Sequence, residues 1–233
     1  MGLGIHLVGS VPLADAGQVF VTVSAALGKR IKRIPDGETG ARSDWITWLE
    51  PAFAHNPAFH KSGEFFRVHA SGTGRERYTL RRGFAARDVR FENLFYADIA
   101  TQSFAEFKRL KDAGTIPAGT RFQVDLVPAH SVLWLFLVDA LHTRIDPIYN
   151  AALKREIDKI AAAIPHQELA IQFDVASAVF ARLERNEASG YGRTKSEAQE
   201  TFADILVDLG NRVPPVIELL SHLCYGDSGP VDS

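Results

Sequence analysis

The chain has 233 residues, 46% hydrophobic and 23% charged, the proportions of a soluble globular protein long enough for one well-cored domain. Its 26 Lys+Arg against 28 Asp+Glu leave a net charge of -2 with no basic block, which excludes a nucleic-acid footprint. The single cysteine cannot form an internal disulfide, Met1-Gly2-Leu3-Gly4-Ile5-His6 lacks the basic start and apolar core of a signal peptide, and no apolar run approaches the roughly 20 residues that cross a bilayer, so a cytoplasmic protein without a membrane partner is expected.

Short apolar runs alternate with helical patterns along the chain. Residues 4–10 read as a first strand, 15–27 as a helix, and 30–34 as a second strand running into Pro35-Asp36-Gly37-Glu38-Thr39-Gly40. Residues 41–90 break the rhythm, mixing Trp45, Trp48, Phe53, Phe59, Phe65 and Phe66 with His55, His60, Arg75, Arg77, Arg81 and Arg82; an insertion of that length is expected to be a lid or binding loop. A helix follows over 97–113, stopped by Gly114, then a strand over 121–128 and helices near 130–142 and 146–163. A strand over 168–175, a helix over 196–210 and a strand over 216–225 complete the pattern. Strands alternating with helices predict an α/β fold with a parallel sheet.

Each of the five expected strands ends in residues that can do chemistry: His6 and Ser10, Asp36 and Glu38, Asp125, Gln172 and Asp174, His222 and Cys224. Polar groups gathered at the carboxyl ends of parallel strands are the layout of a TIM (β/α)8 barrel site. Val8-Gly9-Ser10-Val11-Pro12 lacks the glycine-rich phosphate loop expected of a doubly wound sheet. The expected fold is therefore a single partial barrel domain over 1–233 with a lid at about 41–90. His222 and Cys224, two apart on a strand, present an imidazole and a thiol on one face, half of a zinc site; a buried free cysteine beside a hydrogen-bonded histidine has the same spacing.

Asp36 and Glu38 are carboxylates for acid and base work or for a cation, or else a turn in which Asp36 caps its own backbone. His6 is either a substrate contact or an interior histidine. The Trp45/Trp48 pair is either packing or a substrate platform, and the arginines at 75, 77, 81 and 82 are either a solvated charged loop or a grip on an anionic group.

His222-Leu223-Cys224-Tyr225 resembles the His-x-Cys zinc segment of cobalamin-independent methionine synthase, and Leu7-Val8-Gly9-Ser10-Val11-Pro12 resembles that family's first barrel strand and its Gly-Ser-x-Pro turn. Ile171-Gln172-Phe173-Asp174 is similar to the strand ending in its substrate-contacting Asp. With Ile34 to Gly40 and Arg121-Phe122-Gln123-Val124, the whole chain resembles the methionine synthase II-like branch of the methionine synthase and uroporphyrinogen decarboxylase superfamily.

The resemblance implies a metal near the barrel mouth, with His222 and Cys224 as ligands of Zn²⁺ and Asp174 beside the substrate. Methionine synthases complete their zinc with a Glu and a second Cys from later strands; this chain stops at Ser233 after its fifth strand, so a truncated barrel of about five units, capable of self-association through its open edges, is expected.

The implied activity is that of a methyltransferase: zinc-dependent transfer of a methyl or alkyl group to or from a small-molecule thiol, in which zinc holds the sulfur as thiolate. In this reading Asp174, Asp36 and Glu38 are the catalytic carboxylates and Ser10, His6, Gln172, Asp125 and Trp45 contact substrate. The alternatives are a lyase or decarboxylase of the same superfamily, using those carboxylates without zinc, and a non-catalytic barrel remnant that binds a small molecule or a partner chain.

Overall fold

The computed structural model describes residues 4–44, 46–66, 74–185 and 190–225. Helix α1, Ala16–Leu27, starts where the Asp15 carboxylate accepts the Gln18 backbone N–H at 2.8 Å and ends at Gly28. It leads to strand β1, Arg33–Pro35. Helix α2, Glu50–Ala54, and the antiparallel strands β2, Phe59–Phe66, and β3, Arg75–Leu80, follow. Helix α3, Tyr96–Asp112, then precedes β4, Arg121–Leu126, α4, Ala129–Phe136, α5, His142–Ala163, and β5, Leu169–Val175. Helices α6, Ser177–Glu184, and α7, Lys195–Gly210, lead to β6, Glu218–Leu223. No helix among the described residues is long and apolar enough to cross a membrane.

The fold is α/β. Strands β1, β4, β5 and β6 form a four-stranded parallel sheet in that order, so each expected strand from the second onward pairs with the next. The first expected strand shrinks to one parallel bridge between Ile5 and Ile31. The carbonyls of Leu7 and Val8 accept the side-chain amides of Gln123 at 3.0 Å and Gln172 at 2.9 Å in place of a longer ladder.

Phe122 meets Phe20 of α1 and Phe107 of α3 at ring distances of 6.1 and 5.5 Å, so Phe122, Val124 and Leu126 face the helices and Gln123 and Asp125 face the opposite side. Gln172 and Asp174 do the same on β5. On that polar face Arg33 of β1 reaches Glu218 of β6 at 2.6 Å, across two intervening strands. Strands lie about 4.8 Å apart and side chains stand roughly perpendicular to the sheet, so the pair closes only because the sheet curls with its polar face concave. Arg121 joins Glu218 from β4 at 3.4 Å.

The insertion leaves β1 and re-enters at α3, both on the carboxyl side of the sheet. Its hairpin packs on α4: Phe66 meets Trp134 at 4.6 Å, and Arg77 donates to the Trp134 carbonyl at 2.8 Å. Phe53 of α2 stacks on Phe136 at 4.7 Å. Most of its aromatic and cationic residues are thereby committed to packing: Lys61 and Arg75 pair with Glu50, and Arg81 holds the carbonyls of Pro57 and Phe59. Helix α4 is anchored from α5, where Asn150 accepts the Ala129 N–H at 3.0 Å and donates to Asp146 at 2.6 Å. The expected helix over 130–142 thus splits into α4 and a 3-10 turn at Asp139–Leu141, while α6 and the hairpin are elements the sequence pattern did not disclose.

Gly37 fixes the turn after β1. Its φ is 82°, and a Cβ there would stand 2.7 Å from Val19 Cγ2 in the core. Gly37→Ala is expected to destabilise the protein by about 1–3 kcal/mol or more, read as a lowered thermal midpoint; an unchanged midpoint would show that the turn relaxes freely.

Candidate functional site

Two glutamine-aspartate pairs build the floor of the site. Gln123 donates to Asp125 at 2.8 Å and Gln172 donates to Asp174 at 2.8 Å, each across two positions on one strand face. The same two amides hold Leu7 and Val8, so Gly9 and Ser10 are suspended over the strand ends. His6 Nε2 lies 2.8 Å from the Gln172 side-chain oxygen. Gly9 has a φ of 141°, and a Cβ there would stand 3.3 Å from Asp125 Oδ2 and 3.4 Å from Glu38 Oε2. A residue without a side chain lets the two carboxyl groups approach.

The turn after β1 supplies the third and fourth acids. Asp36 accepts the Glu38 backbone N–H at 3.1 Å, as in the turn expected for it, and also the Ser103 hydroxyl at 2.8 Å and the Arg42 guanidinium at 2.5 Å. Asp36 is buried and fully engaged, a group that holds others in place. Glu38 adopts a left-handed φ of 49° and accepts the Ser10 hydroxyl. Non-glycine residues held there store strain, and such residues cluster at functional sites.

His222 faces Asp174 across the β5/β6 register, with Nδ1 3.4 Å from Oδ1. Cys224, just past β6, shares the less exposed side of the strand with His222. The structure therefore brings together His6, Ser10, Asp36, Glu38, Asp125, Gln172, Asp174 and His222, with Cys224 next along the strand. Trp45 lies outside the described residues.

A cleft opens where β1 stops at Pro35 and β4 continues unpartnered on that side. It encloses about 320 Å³, counting space open to solvent, and is lined by Asp36, Glu38, Gln123 and Asp125 together with Arg42 and Trp48 of the insertion and Tyr96 of α3. Trp48 is wedged edge-on against Tyr96 at 5.1 Å. Arg42, Gln123, Tyr96 and Ser103 are site residues that the sequence pattern did not single out. For Gln123 a signal existed, since Gln-x-Asp recurs at 123–125 and 172–174 on adjacent strands; for Arg42, in an irregular loop, there was none.

The electrostatics are dominated by burial. It raises the Glu38 carboxyl above its usual range despite the Ser10 hydrogen bond, with Asp174 adding repulsion. Burial pushes Asp125 well up, reinforced by Asp174. It also raises Asp174, against the lowering effect of hydrogen bonds from His222 and Gln172. His222 is raised by its hydrogen bond to Asp174. With Arg42 committed to Asp36, the other three acids keep protons where an exposed carboxyl would have lost them. The side-chain carbonyl oxygen of Gln123 is buried without a hydrogen-bond partner among the described residues.

A catalytic zinc takes three protein ligands. His222 and Cys224 supply two donors, and among the described residues no group of three or more His, Cys, Asp or Glu side chains is arranged to hold a metal ion. Among the described residues the expected zinc site therefore has two donors, one short of the three that a catalytic ion takes.

A carboxyl raised by folding leaves the native state stable at low pH and costs it stability as the pH climbs from the unfolded value to the folded one, because the unfolded chain loses that proton first. Asp125→Asn is therefore expected to raise the thermal midpoint at pH 8 and to lose that advantage at pH 4, with about 2–4 °C for each kcal/mol relieved in a chain of this size. A pH-independent midpoint difference would show that Asp125 is not held protonated. Comparison of the chain with family models, with curated proteins and with solved structures finds no match.

Proposed function

We propose that the protein is an enzyme of barrel type that moves protons on a small-molecule substrate, a lyase or decarboxylase in reaction class, with Glu38, Asp125 and Asp174 as its working acids. The observation that supports this reading best is the set of three partly buried carboxyls with raised proton affinity at the ends of neighbouring strands, beside an open cleft. General acid-base chemistry works best with a proton affinity near the operating pH, and burial is the usual means of raising a carboxyl toward it.

In this mechanism Glu38, carried on its strained turn, exchanges a proton with the substrate, and the Ser10 hydroxyl orients it. Asp174 and His222 form a second relay, able to take up or return a proton at the imidazole. Gln123 accepts a hydrogen bond from a substrate N–H or O–H, and Asp36 holds Arg42 and the turn in place. The curled sheet with its polar concave face supports the barrel reading, as does the return of the first segment across that face to Gln123 and Gln172. The motif resemblance to methionine synthase II-like proteins points to the same superfamily.

Incubating the protein with a mixture of small carbon acids in D₂O and following loss of C–H signals by NMR tests the proposal. Wild type is expected to consume or deuterate at least one component, and Glu38→Gln to slow that reaction by about 10²–10⁴-fold, the usual contribution of a general acid or base. An activity that survives intact in both Glu38→Gln and Asp174→Asn would overturn the assignment.

A second reading, methyl or alkyl transfer to a thiol at zinc, has one observation in its favour. Asp174 holds Nδ1 of His222, which leaves Nε2 free in the manner of a ligand oriented by a carboxylate. Elemental analysis of protein prepared without chelator decides it: stoichiometric zinc lost in Cys224→Ser is the expected outcome of that reading, and equal zinc in both forms removes Cys224 from it.

A further inference from the structure

Strand β6 is the last strand of the sheet, and among the described residues nothing pairs with its outer edge. The Cys224 backbone N–H points inward, donating to the Val175 carbonyl at 3.1 Å. Alternate residues of a strand direct their backbone groups to opposite sides, so Leu219, Ser221 and Leu223 present N–H and C=O to the open edge. Their side chains lie on the outer face, where Leu219 is 48% and Leu223 60% exposed. Leu219 also lies against Gly210 of α7, whose Val207 is 60% exposed, so an apolar strip runs from that helix onto the strand. An uncovered parallel edge with such a strip is a template for another chain.

The sequence of the edge indicates which chain. From Val216 to Cys224 it reads Val-Ile-Glu-Leu-Leu-Ser-His-Leu-Cys, which is complementary to its own reverse about Leu220. Val216 falls opposite Cys224, Ile217 opposite Leu223, Glu218 opposite His222 and Leu219 opposite Ser221. A two-fold interface requires this self-complementarity, because each residue meets its mirror position.

We propose that β6 pairs antiparallel with β6 of a second copy of this chain, about a two-fold axis at Leu220. In that register Leu219 and the partner's Ser221, both directed at the open edge, exchange their backbone hydrogen bonds. Glu218 faces the partner's His222 on the concave side. Sliding the register by two residues in either direction loses that opposition of charge. Glu218 is already held by Arg33, and His222 by Asp174, yet their side chains remain 37% and 26% exposed; their meeting fixes the register, while the ladder and the apolar strip supply the affinity.

Light scattering on eluting protein over a wide concentration range is expected to show a dimer, and Ser221→Pro, which removes an outward N–H at an edge that tolerates proline, to weaken it at least about tenfold. The register is read by cross-linking. Leu220→Cys in a Cys224→Ser background places two thiols in a non-hydrogen-bonded antiparallel pair about 4.5 Å apart at Cα, within disulfide range, so mild oxidation should join the copies. Leu219→Cys in the same background, opposite serine, should not cross-link, and the comparison holds even if Ser221→Pro fails to fold. A chain that stays monomeric, or Leu220→Cys that joins no faster than Leu219→Cys, overturns the proposal. So does dimerisation that appears only after removal of residues 226–233, which would make the chain's own tail the occupant of the edge.

Discussion

Two side-chain amides organise this molecule. Gln123 and Gln172, on neighbouring strands and buried, each divide their N–H groups between a main-chain carbonyl of the first segment and a carboxyl two residues further along their own strand. The first bond draws residues 6–10 across the concave face; the second aims Asp125 and Asp174. An amide replaced by a hydrocarbon would leave a part-buried carbonyl without its donor, a cost of up to about 1–3 kcal/mol, and would release its acid at the same time.

The same arrangement creates a conflict that the fold sustains. Glu38, Asp125 and Asp174 are brought together where solvent is scarce, and the nearest guanidinium, Arg42, is spent on Asp36. A carboxylate can be buried by pairing it with a cation or by leaving it its proton. Asp36 has the guanidinium of Arg42, and burial raises the proton affinity of Glu38, Asp125 and Asp174. In the helical layer burial likewise pushes Asp146 up to about 6, although Tyr191 and Asn150 both donate to it. Acids that retain protons in the folded state lower its stability as the pH rises, so the site is held together by the apolar cluster around Phe20, Phe107 and Phe122 beneath it.

Much of this was legible in the residues. Fully buried strands such as Leu169–Val175 announce themselves as short apolar runs, and their alternation with helices carries the parallel order of the sheet. The polar strand ends were legible for the same reason: a carboxyl closing an apolar run has few bland explanations. What escaped was set by tertiary contact. The first strand looks as apolar as the others, yet its carbonyls are captured by side chains from strands more than a hundred positions away. The hairpin of β2 and β3 is hidden because neither strand alternates cleanly between buried and exposed residues, and its packing comes from rings on α2 and α4. Arg42 reaches its partner through an irregular loop for which no periodicity exists.

The left-handed turn at Gly37 and Glu38 has a consequence beyond local strain. A glutamate on a helix or strand finds its working position by sampling rotamers, and a ligand that needs it fixed must supply the lost entropy. Here the main chain, locked by Val19 beneath Gly37 and by Asp36 beside it, delivers the Glu38 carboxyl to Ser10 before anything binds. The site is thus preorganised: folding has already met the entropic charge of assembling it, and the binding energy of whatever enters the cleft remains available to act on the ligand itself.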